Sequence, residues 1–435
     1  MVIPSARLLW LAAGLVVAGI VVSVIPALAY VWVAAAATIA AIALLDALAA
    51  RHIRSPSAKR ILPGSLPLGV PHEVVLRLAN QGDAPLACEV HDHYPAHTEV
   101  HGMPQRVTVP ARGWSEVRYG VRPVRRGELL FRRAEARVDS RSGLWHVRRR
   151  LGVETSTRVY PNFAALTRFA LLATDHRLSQ IGVLQRRRRG EGLDFHQLRE
   201  YREGDSQRQV DWKATARMRR LISREYQDER DQQVVLLIDC GRRMAAQDDD
   251  LAHFDHVLNA ALLLAYASLR QGDAVGLLTM SGDPRWVAPR KSIATVNLIL
   301  NRVYDLHPTL KATDYYTAAL DLMKRLRKRA LVVLLTNLRD EDDDLLAPAL
   351  RLLQSRHLVL FASLRETILS HALAARIETF DRALTHAATA EYLQRRELAF
   401  RRLERGGAVC LDVEPRELPI ALVNRYIDIK RSGRL

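Results

Sequence analysis

Four histidines that could bind a metal fall within eleven residues of one another: His91, His93, His97 and His101. His91 and His93 would share one face of a strand, and imidazole is a good ligand for zinc or copper. No carboxylate or cysteine completes a recognised metal-ligand spacing around them. We therefore interpret the cluster as a polar strand and loop at the surface, with a metal site as the alternative.

A second histidine pair and three cysteines are further candidates for chemistry. His253 and His256 lie three residues apart on a predicted helix, and we interpret them as part of an exposed polar face rather than as a metal pair. Cys88, Cys240 and Cys410 lie far apart, which argues against a disulfide scaffold and a thiolate zinc site. No histidine lies near Cys240 in sequence, so we expect no catalytic cysteine.

Residues 186–231 combine many arginines with acidic residues. Gly190-x-Gly192 is a weak signal for phosphate binding, because no strand–helix context surrounds it. Trp212 offers a large apolar anchor. The segment also offers guanidinium and carboxylate groups that can pair: Arg199, Asp205, Arg208, Asp211 and Arg217. This network either fastens an irregular loop to a domain core or forms a partner-binding surface, and nothing in it resembles a nucleophile–base pair.

The first of the elements that must position these residues is an apolar N-terminus. No residue is charged from Leu8 to Leu45, and the runs Leu8–Ile25 and Ala27–Leu45 each approach the roughly 20 residues that span a bilayer. A cleaved signal peptide is the alternative, but it explains only the first run. Basic residues flank both runs, and such flanks stay in the cytoplasm. We predict a transmembrane helical hairpin over residues 1–50, with residues 51–435 in the cytoplasm.

Two folded regions are predicted after the hairpin, joined by residues 166–232. Residues 51–165 contain short strands at the spacing of a β-sandwich-like domain, and Ser115–Val121 alternates polar and apolar residues as a half-buried strand does. Residues 233–435 alternate strands with helices, including a long helix over 387–405. Val234–Ile238 has the continuous apolar run of a buried parallel strand. We predict a doubly wound α/β domain, whose ligands would bind at the carboxyl ends of the strands.

The distribution of charge bears on the partners of the chain. Its formal net charge is +17, which raises the alternative of a nucleic-acid-binding membrane protein. Residues 51–232 hold 34 basic and 21 acidic residues, whereas residues 233–435 hold 29 and 25. The excess therefore directly follows the predicted hairpin. We assign it to attraction by an anionic inner leaflet and do not expect nucleic acid as a partner.

The segment that follows Gly190 is similar to a bacterial domain-of-unknown-function family whose members carry a von Willebrand factor A-like domain. The pattern is matched, in order, at Gly190, Gly192, Asp194, Phe195, Leu198, Arg199, Tyr201, Gly204, Asp205, Arg208, Val210, Asp211, Trp212, Ala216 and Arg217. Members are often encoded beside MoxR-type AAA ATPases, and the preceding hairpin and β-rich segment resemble its membrane-anchored members. The resemblance thus implies the bacterial inner (cytoplasmic) membrane and a protein partner of the MoxR type.

The resemblance also implies the position of a metal site, but several of its ligand residues differ in this chain. Von Willebrand A domains hold a divalent metal with D-x-S-x-S after the first strand, a later threonine and an aspartate. The corresponding positions here are Asp239, Gly241, Arg243, Thr313 and Asn337. Compared with that pattern, Gly241 and Arg243 replace the two serine hydroxyls, and the amide of Asn337 replaces a carboxylate. Arg243 also adds a positive charge to the site. We predict that no metal binds, that Arg243 pairs with Asp239, and that the chain needs no cofactor.

Together with the resemblance, which implies the ATPase partner and the role in assembly, these observations predict a membrane-anchored, non-enzymatic adaptor. Its A-like domain would bind a protein partner, a MoxR-type AAA ATPase, during assembly or maturation of other complexes. A divalent-metal-dependent enzyme acting at the altered site is an alternative, as is the nucleic-acid binder.

Overall fold

The computed structural model describes residues 2–152, 154–162, 194–202, 207, 210–227, 232–248, 251–339 and 343–434. The chain divides into two compact units, residues 1–160 and residues 161–435.

The first unit begins with a short strand, β1 (Val2–Pro4), and two apolar helices, α1 (Ala6–Val24) and α2 (Ala29–Arg51). Ser5 caps α1, because its hydroxyl accepts a hydrogen bond from the amide of Leu8 (3.4 Å). The helices lie side by side, and Trp32 Nε1 donates to the carbonyl of Leu15 (3.0 Å). With 19 and 23 residues, both are long and apolar enough to cross a membrane, as the sequence predicts.

The rest of the first unit is a β-rich domain. Leu76 and Val117 from a four-stranded sheet pack in one core with Val90 and Val138 from a five-stranded sheet, so the two sheets face each other. The strand orders are β2-β4-β8-β6, β1-β11-β10-β5-β7 and, in a third sheet, β3-β12-β9. The strands are β2 (Ser57–Ile61), β3 (Ser65–Pro67), β4 (His72–Ala79), β5 (Leu86–His91), β6 (Thr98–His101), β7 (Gln105–Val109), β8 (Trp114–Pro123), β9 (Gly127–Phe131), β10 (Ala134–Asp139), β11 (Trp145–Leu151) and β12 (Thr155–Tyr160).

The helical hairpin is fixed to one turn of the β-rich domain. Strand β1 pairs antiparallel with β11, directly before α1 begins. At the other end of the hairpin, the carboxylate of Asp46 on α2 accepts hydrogen bonds from the hydroxyls of Ser140 (2.6 Å) and Ser142. Trp145 Nε1 donates to the carbonyl of Ala43 (2.8 Å). The chain therefore enters and leaves the hairpin beside the same turn, residues 140–145.

The described part of the second unit begins with a two-stranded antiparallel ribbon that flanks a short helix. The ribbon pairs β13 (Asp194–Glu200) with β14 (Ile222–Gln227), and the helix between them is α3 (Trp212–Met218).

A six-stranded sheet forms the centre of the second unit, in the order β19-β18-β15-β20-β21-β22. Its neighbours pair in parallel except β19, an antiparallel edge strand. The strands are β15 (Gln233–Asp239), β18 (Ala274–Met280), β19 (Trp286–Arg290), β20 (Leu331–Thr336), β21 (Leu358–Leu364) and β22 (Val409–Val413), and β16 (Gln247–Asp248) pairs separately with β17 (Leu251–Ala252). This order is doubly wound, with its reversal between β15 and β20.

Helices cover both faces of this sheet. Alternate residues of β15 enter two different cores, since Val234 and Leu236 pack on one face and Val235 and Leu237 on the other. The first face carries α4 (His253–Arg270), α5 (Ala294–Val303) and α10 (Leu418–Arg431). The second carries α6 (Tyr315–Arg325), α7 (Asp343–Gln354) and α9 (Phe380–Arg405), and α8 (Thr367–Ala374) precedes α9. The predicted mixture of strands and helices over 233–435 is confirmed.

Candidate functional site

The reversal of strand order places Asp239 at the position where doubly wound sheets bind ligands. Asp239 is the last residue of β15, and Thr336 is the last residue of β20, on the opposite side of the reversal. Ligands of such sheets bind outside the carboxyl ends of the strands at this point. The candidate site is therefore built around the Asp239 carboxylate.

The carboxylate of Asp239 is fully buried and bound by donors of the chain itself. One oxygen, Oδ1, accepts from the amide of Gly241 (2.7 Å) and from the hydroxyl of Thr313 (2.7 Å). The other, Oδ2, accepts from the hydroxyl of Thr336 (2.6 Å). A buried carboxylate needs such donors, because an unpaired one is costly. These three contacts link β15, β20 and the loop before α6.

Gly241 and Arg243 shape the same site in different ways. A Cβ atom at Gly241 would meet the hydroxyl of Thr313 and lie 3.0 Å from Asp239 Oδ1, so no side chain fits there without movement. Arg243 lies in the short 3-10 turn Arg242–Ala245, and its charge acts on Asp239. Burial raises the pKa of Asp239, while the hydroxyls of Thr336 and Thr313, the amide of Gly241 and the charge of Arg243 oppose that rise.

Asn337, the remaining position of the predicted metal set, is held in a different polar cluster. Its Nδ2 lies 3.2 Å from His253 Nδ1 and donates to Glu366 Oε1 (2.9 Å). The structure thus brings Asp239, Gly241 and Thr313 together, with Thr336 as the additional hydroxyl that the sequence analysis missed.

His253 and His256 are both buried, so the expectation that they form an exposed polar face is wrong. The physical reason is that the start of α4 is covered by Asn337 and by Asp248, whose carbonyl lies 3.5 Å from His256 Nε2.

The residues around Asp239 do not fit a bound Mg²⁺ ion. Both carboxylate oxygens accept hydrogen bonds from the protein, and the space of the first serine is taken by the hydroxyl of Thr313. A guanidinium stands at the second serine position. Mg²⁺ needs free oxygen ligands in a near-octahedral arrangement. The absence of a metal stays a prediction, as does a direct pairing of Arg243 with Asp239.

The described residues of the 186–231 segment expose several apolar side chains. Trp212 begins α3, and 69% of its surface is accessible. Leu198, Met218 and Leu221 are also exposed. Trp212 therefore anchors no core within the described chain, contrary to its expected role.

Hydrogen bonds fix the backbone that presents Trp212. Asp211 caps α3 by accepting from the amide of Ala214 (3.0 Å), and Arg219 ends the helix with a left-handed φ of 54°. Thr215 Oγ1 accepts from the amide of Ile222 (3.0 Å), and the amide of Tyr201 donates to the carbonyl of Leu221 (2.9 Å). The helix is thereby tied to the ribbon of β13 and β14.

The remaining signature residues are distributed as follows. Asp194, Phe195 and Arg199 lie on β13, and Ala216 and Arg217 lie exposed on α3. Outside the described residues lie Gly190, Gly192, Gly204, Asp205 and Arg208.

The histidine cluster of the first unit is spread over a strand and a loop. The rings of His91 and His93 meet edge to face, 5.1 Å between centroids, and His93 Nε2 lies 3.5 Å from Glu135 Oε1. His97 Nε2 instead lies 3.3 Å from the guanidinium of Arg125. Within the part of the chain that the structure describes, no three His, Cys, Asp or Glu side chains are grouped closely enough to hold a metal ion.

All three cysteines are free and buried. Burial raises the pKa of Cys88 to about 11 and that of Cys410 to about 12. A reactive cysteine needs a lowered pKa and some exposure, so neither of these thiols is suited to nucleophilic chemistry.

Comparisons with known proteins give similarities to several solved structures and one family-model match. The search of curated proteins found no match. Among solved structures, similarity is found to an aerotolerance-related membrane protein from Bacteroides fragilis NCTC 9343, with 13% identity over 46% of this chain and 98% of that chain (TM-score 0.29). Alpha-2-macroglobulin from Escherichia coli matches with 14% identity over 24% of this chain and 7% of that chain (TM-score 0.20). A FixG-related protein from Vibrio parahaemolyticus matches with 9% identity over 25% and 98% (TM-score 0.18). Residues 197–372 match the family model described as protein of unknown function DUF58.

Proposed function

We propose that this chain is a membrane-anchored, non-enzymatic adaptor whose α/β domain binds a MoxR-type AAA ATPase during assembly or maturation of other complexes. The hairpin of α1 and α2 would anchor it in the bacterial inner membrane, with residues 51–435 in the cytoplasm. The α/β domain would be of the von Willebrand factor A type. The doubly wound strand order is compatible with that type, and the family-model match over residues 197–372 includes five of the six strands of the sheet.

The exposure of Trp212 is the observation that carries this proposal. A tryptophan exposed by 69% on a helix fixed by capping and by Thr215 is unusual for a residue with only a packing role. Exposed apolar patches mark interaction surfaces, and tryptophan is enriched at their energetic centres. Leu198, Met218 and Leu221 add exposed apolar surface on the flanking elements. This set, called the signature surface below, is therefore the proposed ATPase-binding site.

The chemistry of the Asp239 site supports a binding role over an enzymatic one. Both oxygens of its carboxylate already accept hydrogen bonds from Gly241, Thr313 and Thr336, and the group is fully buried, so it is poorly placed to exchange a proton with a substrate. The neighbouring Cys240 is fully buried. The site is better suited to holding β15, β20 and the loop before α6 together than to turnover.

Affinity capture from detergent-solubilised native membranes tests the proposal. We expect a AAA ATPase to co-purify with the tagged full chain. Trp212→Ala should lower its affinity about 30-fold, the effect of an interface residue contributing about 2 kcal/mol.

Trp114→Ala is the matched control, because Trp114 is a tryptophan of similar exposure (58%) on β8 of the first unit. This variant should capture as much ATPase as the wild type. The proposal fails if the wild-type chain captures no AAA ATPase, or if the two tryptophan variants behave alike.

A further inference from the structure

The loop that carries Thr313 presents an apolar side chain to solvent directly above the Asp239 site. Leu310 is accessible over 91% of its surface, more than any other large apolar side chain that the structure describes. It precedes Thr313, whose hydroxyl binds Asp239, by three positions. A single exposed leucine needs no explanation by itself. The surroundings of Leu310 are what set it apart.

The loop is tied down on both sides of Leu310. The amide of Thr309 donates to the carbonyl of Cys240 (2.7 Å), and the amide of Arg242 donates to the carbonyl of Lys311 (2.9 Å). The hydroxyl of Thr309 also lies 2.6 Å from the carbonyl of Ser281. Leu310 therefore projects from a backbone that is fixed to the ends of β15 and β18.

The adjacent loop after β18, whose Ser281 carbonyl makes this contact, has a costly backbone conformation. Ser281 has a φ of 62°, in the left-handed region that residues other than glycine rarely adopt. The next residue, Gly282, approaches so closely that a Cβ atom there would lie 3.2 Å from the Cβ of Cys240. Strained backbone of this kind persists only where the surroundings hold it, and such sites are often functional.

Two exposed cationic residues flank Leu310. Arg242 and Lys311 are both exposed and are joined through their backbones. Lys311 forms no ion pair with the residues that the structure describes. The nearby Asp314 accepts from the amide of Thr317 (2.9 Å) as the cap of α6. The surface formed by Arg242, Leu310 and Lys311, called the loop crest below, thus combines an apolar projection with positive charge.

We propose that the loop crest docks on a protein partner that offers an apolar pocket bordered by carboxylates. Leu310 would enter the pocket, while Lys311 and Arg242 would pair with aspartate or glutamate side chains of the partner. The inference rests on the proposed function only in that the α/β domain binds a protein. It adds a second contact surface and states the chemistry of the partner.

The apolar residue at the centre favours a protein over a nucleic acid. Nucleic acids are bound through rows of cations that contact phosphates and through aromatic side chains that stack on bases. An aliphatic side chain contributes to neither, whereas a protein pocket gains from burying it. Opposite charges around such a pocket would fix its orientation and speed association.

Zero-length carbodiimide cross-linking of the full chain in native membranes tests the proposal. The reagent joins a lysine amine to a carboxyl group only where the two are in contact. We expect peptides in which Lys311 is joined to an aspartate or glutamate of another protein. Lys328 is the control, since it is an exposed lysine of the same unit, and we expect at least tenfold less linkage there.

Two variants examine the role of each part of the crest. Leu310→Asp should reduce the Lys311 linkage at least tenfold, because it places a charge where the pocket is apolar and repels its carboxylates. Lys311→Glu should weaken the association and reduce its dependence on salt, because one of the two proposed ion pairs is lost. Because both residues are exposed, Cys240 should stay protected from thiol reagents in both variants, which shows that the α/β domain is folded.

The outcomes separate this inference from the proposed function. Equal linkage at Lys311 and Lys328, linkage of Lys311 only within its own chain, or an adduct with phosphate groups of lipid or nucleic acid would overturn the inference. Capture of the ATPase through Trp212 would then still stand. Linkage of Lys311 to a protein that is not a AAA ATPase would support the crest and identify its partner as a protein other than the ATPase.

Discussion

Removal of the Arg396 guanidinium should destabilise the second unit far more than removal of a similar arginine five positions later. Arg396 lies on α9 and is only 3% exposed. Its guanidinium donates to Asp412 on β22 (2.8 Å), to the hydroxyl of Ser363 (2.8 Å) and to the carbonyl of Leu364 on β21 (2.7 Å). It also donates to the carbonyl of Leu338, just after β20. One side chain thus joins the carboxyl ends of three strands.

The magnitude follows from what the substitution leaves behind. Arg396→Ala would leave a carboxylate and several buried oxygens without their donor, and breaking a buried ion pair costs about 3–5 kcal/mol. Asp412 keeps 23% of its side chain exposed, so water would offset part of this cost and we expect about 3 kcal/mol. Arg401→Ala is the control on the same helix. Its pair with Glu397 (2.6 Å) is exposed on both sides, so its loss should cost about 0.5 kcal/mol or less.

Buried cysteines provide the assay. In urea titrations of the detergent-solubilised full chain, thiol labelling of Cys240 reports unfolding of the second unit, and labelling of Cys88 reports unfolding of the first. The free energy of unfolding typically falls by about 2–3 kcal/mol per molar urea. Arg396→Ala should therefore lower the urea concentration at the midpoint of Cys240 labelling by about 1 M or more. The Cys88 midpoint should not move. Equal Cys240 midpoints for Arg396→Ala and Arg401→Ala would refute the reasoning.

Three further predictions concern other contacts of the two units. Asp46→Ala should release the turn at residues 140–145 from α2, because hydrogen bonds to a charged group contribute about 1.5–3 kcal/mol each, and hydrogen exchange of the Trp145 amide should become faster; an unchanged rate would contradict the described junction. Gly241→Ser should lower the free energy of unfolding of the second unit by about 1–3 kcal/mol through overpacking against Thr313, and the Cys240 midpoint with it; stabilisation of this variant by added Mg²⁺ would contradict the proposed misfit. Burial lowers the pKa of both His253 and His357, so their contribution to stability is complete above the unfolded value of about 6.5 and is lost as the pH falls toward their folded values. Labelling with a disulfide reagent that reacts in acid should therefore give a lower Cys240 midpoint at pH 5.5 than at pH 7.5. Equal midpoints would contradict the burial of His253 and His357 as neutral imidazoles.

The sheet of the second unit was largely predictable because its strands are buried on both faces. Val234–Ile238 predicts all but the ends of β15. Strand β19 has no such run, since it is an edge strand that contains Pro289. Helix α9 begins at Phe380 rather than at 387, because its first turns are exposed and carry no apolar periodicity.

The site was predictable only in part, because one position along a strand decides which way a side chain points. The family spacing identified Asp239 and Thr313, which do meet. It placed the late residue at Asn337, whereas the hydroxyl that reaches Asp239 belongs to Thr336. Ile238 pairs with Leu335, so the next residues along the two strands are Asp239 and Thr336. Successive side chains point to opposite faces, which directs Asn337 into the cluster with Glu366.

Exposure of individual side chains was the least predictable property. Trp212 is the kind of residue that normally packs in a core, and its exposure depends on how α3 is capped and tied to β14. His253 shows the reverse, since a polar residue at the start of a helix is covered by a loop from a distant strand. Both depend on tertiary contacts that local patterns do not encode.

Photocross-linking in living cells tests the central claim, that the signature surface binds a AAA ATPase, most directly. A benzophenone amino acid would be placed at position 212 of the full chain and, as the control, at position 114. The account predicts an adduct between position 212 and a AAA ATPase, and none from position 114. Equal adducts from both positions, or an adduct at position 212 with lipid alone, would contradict it.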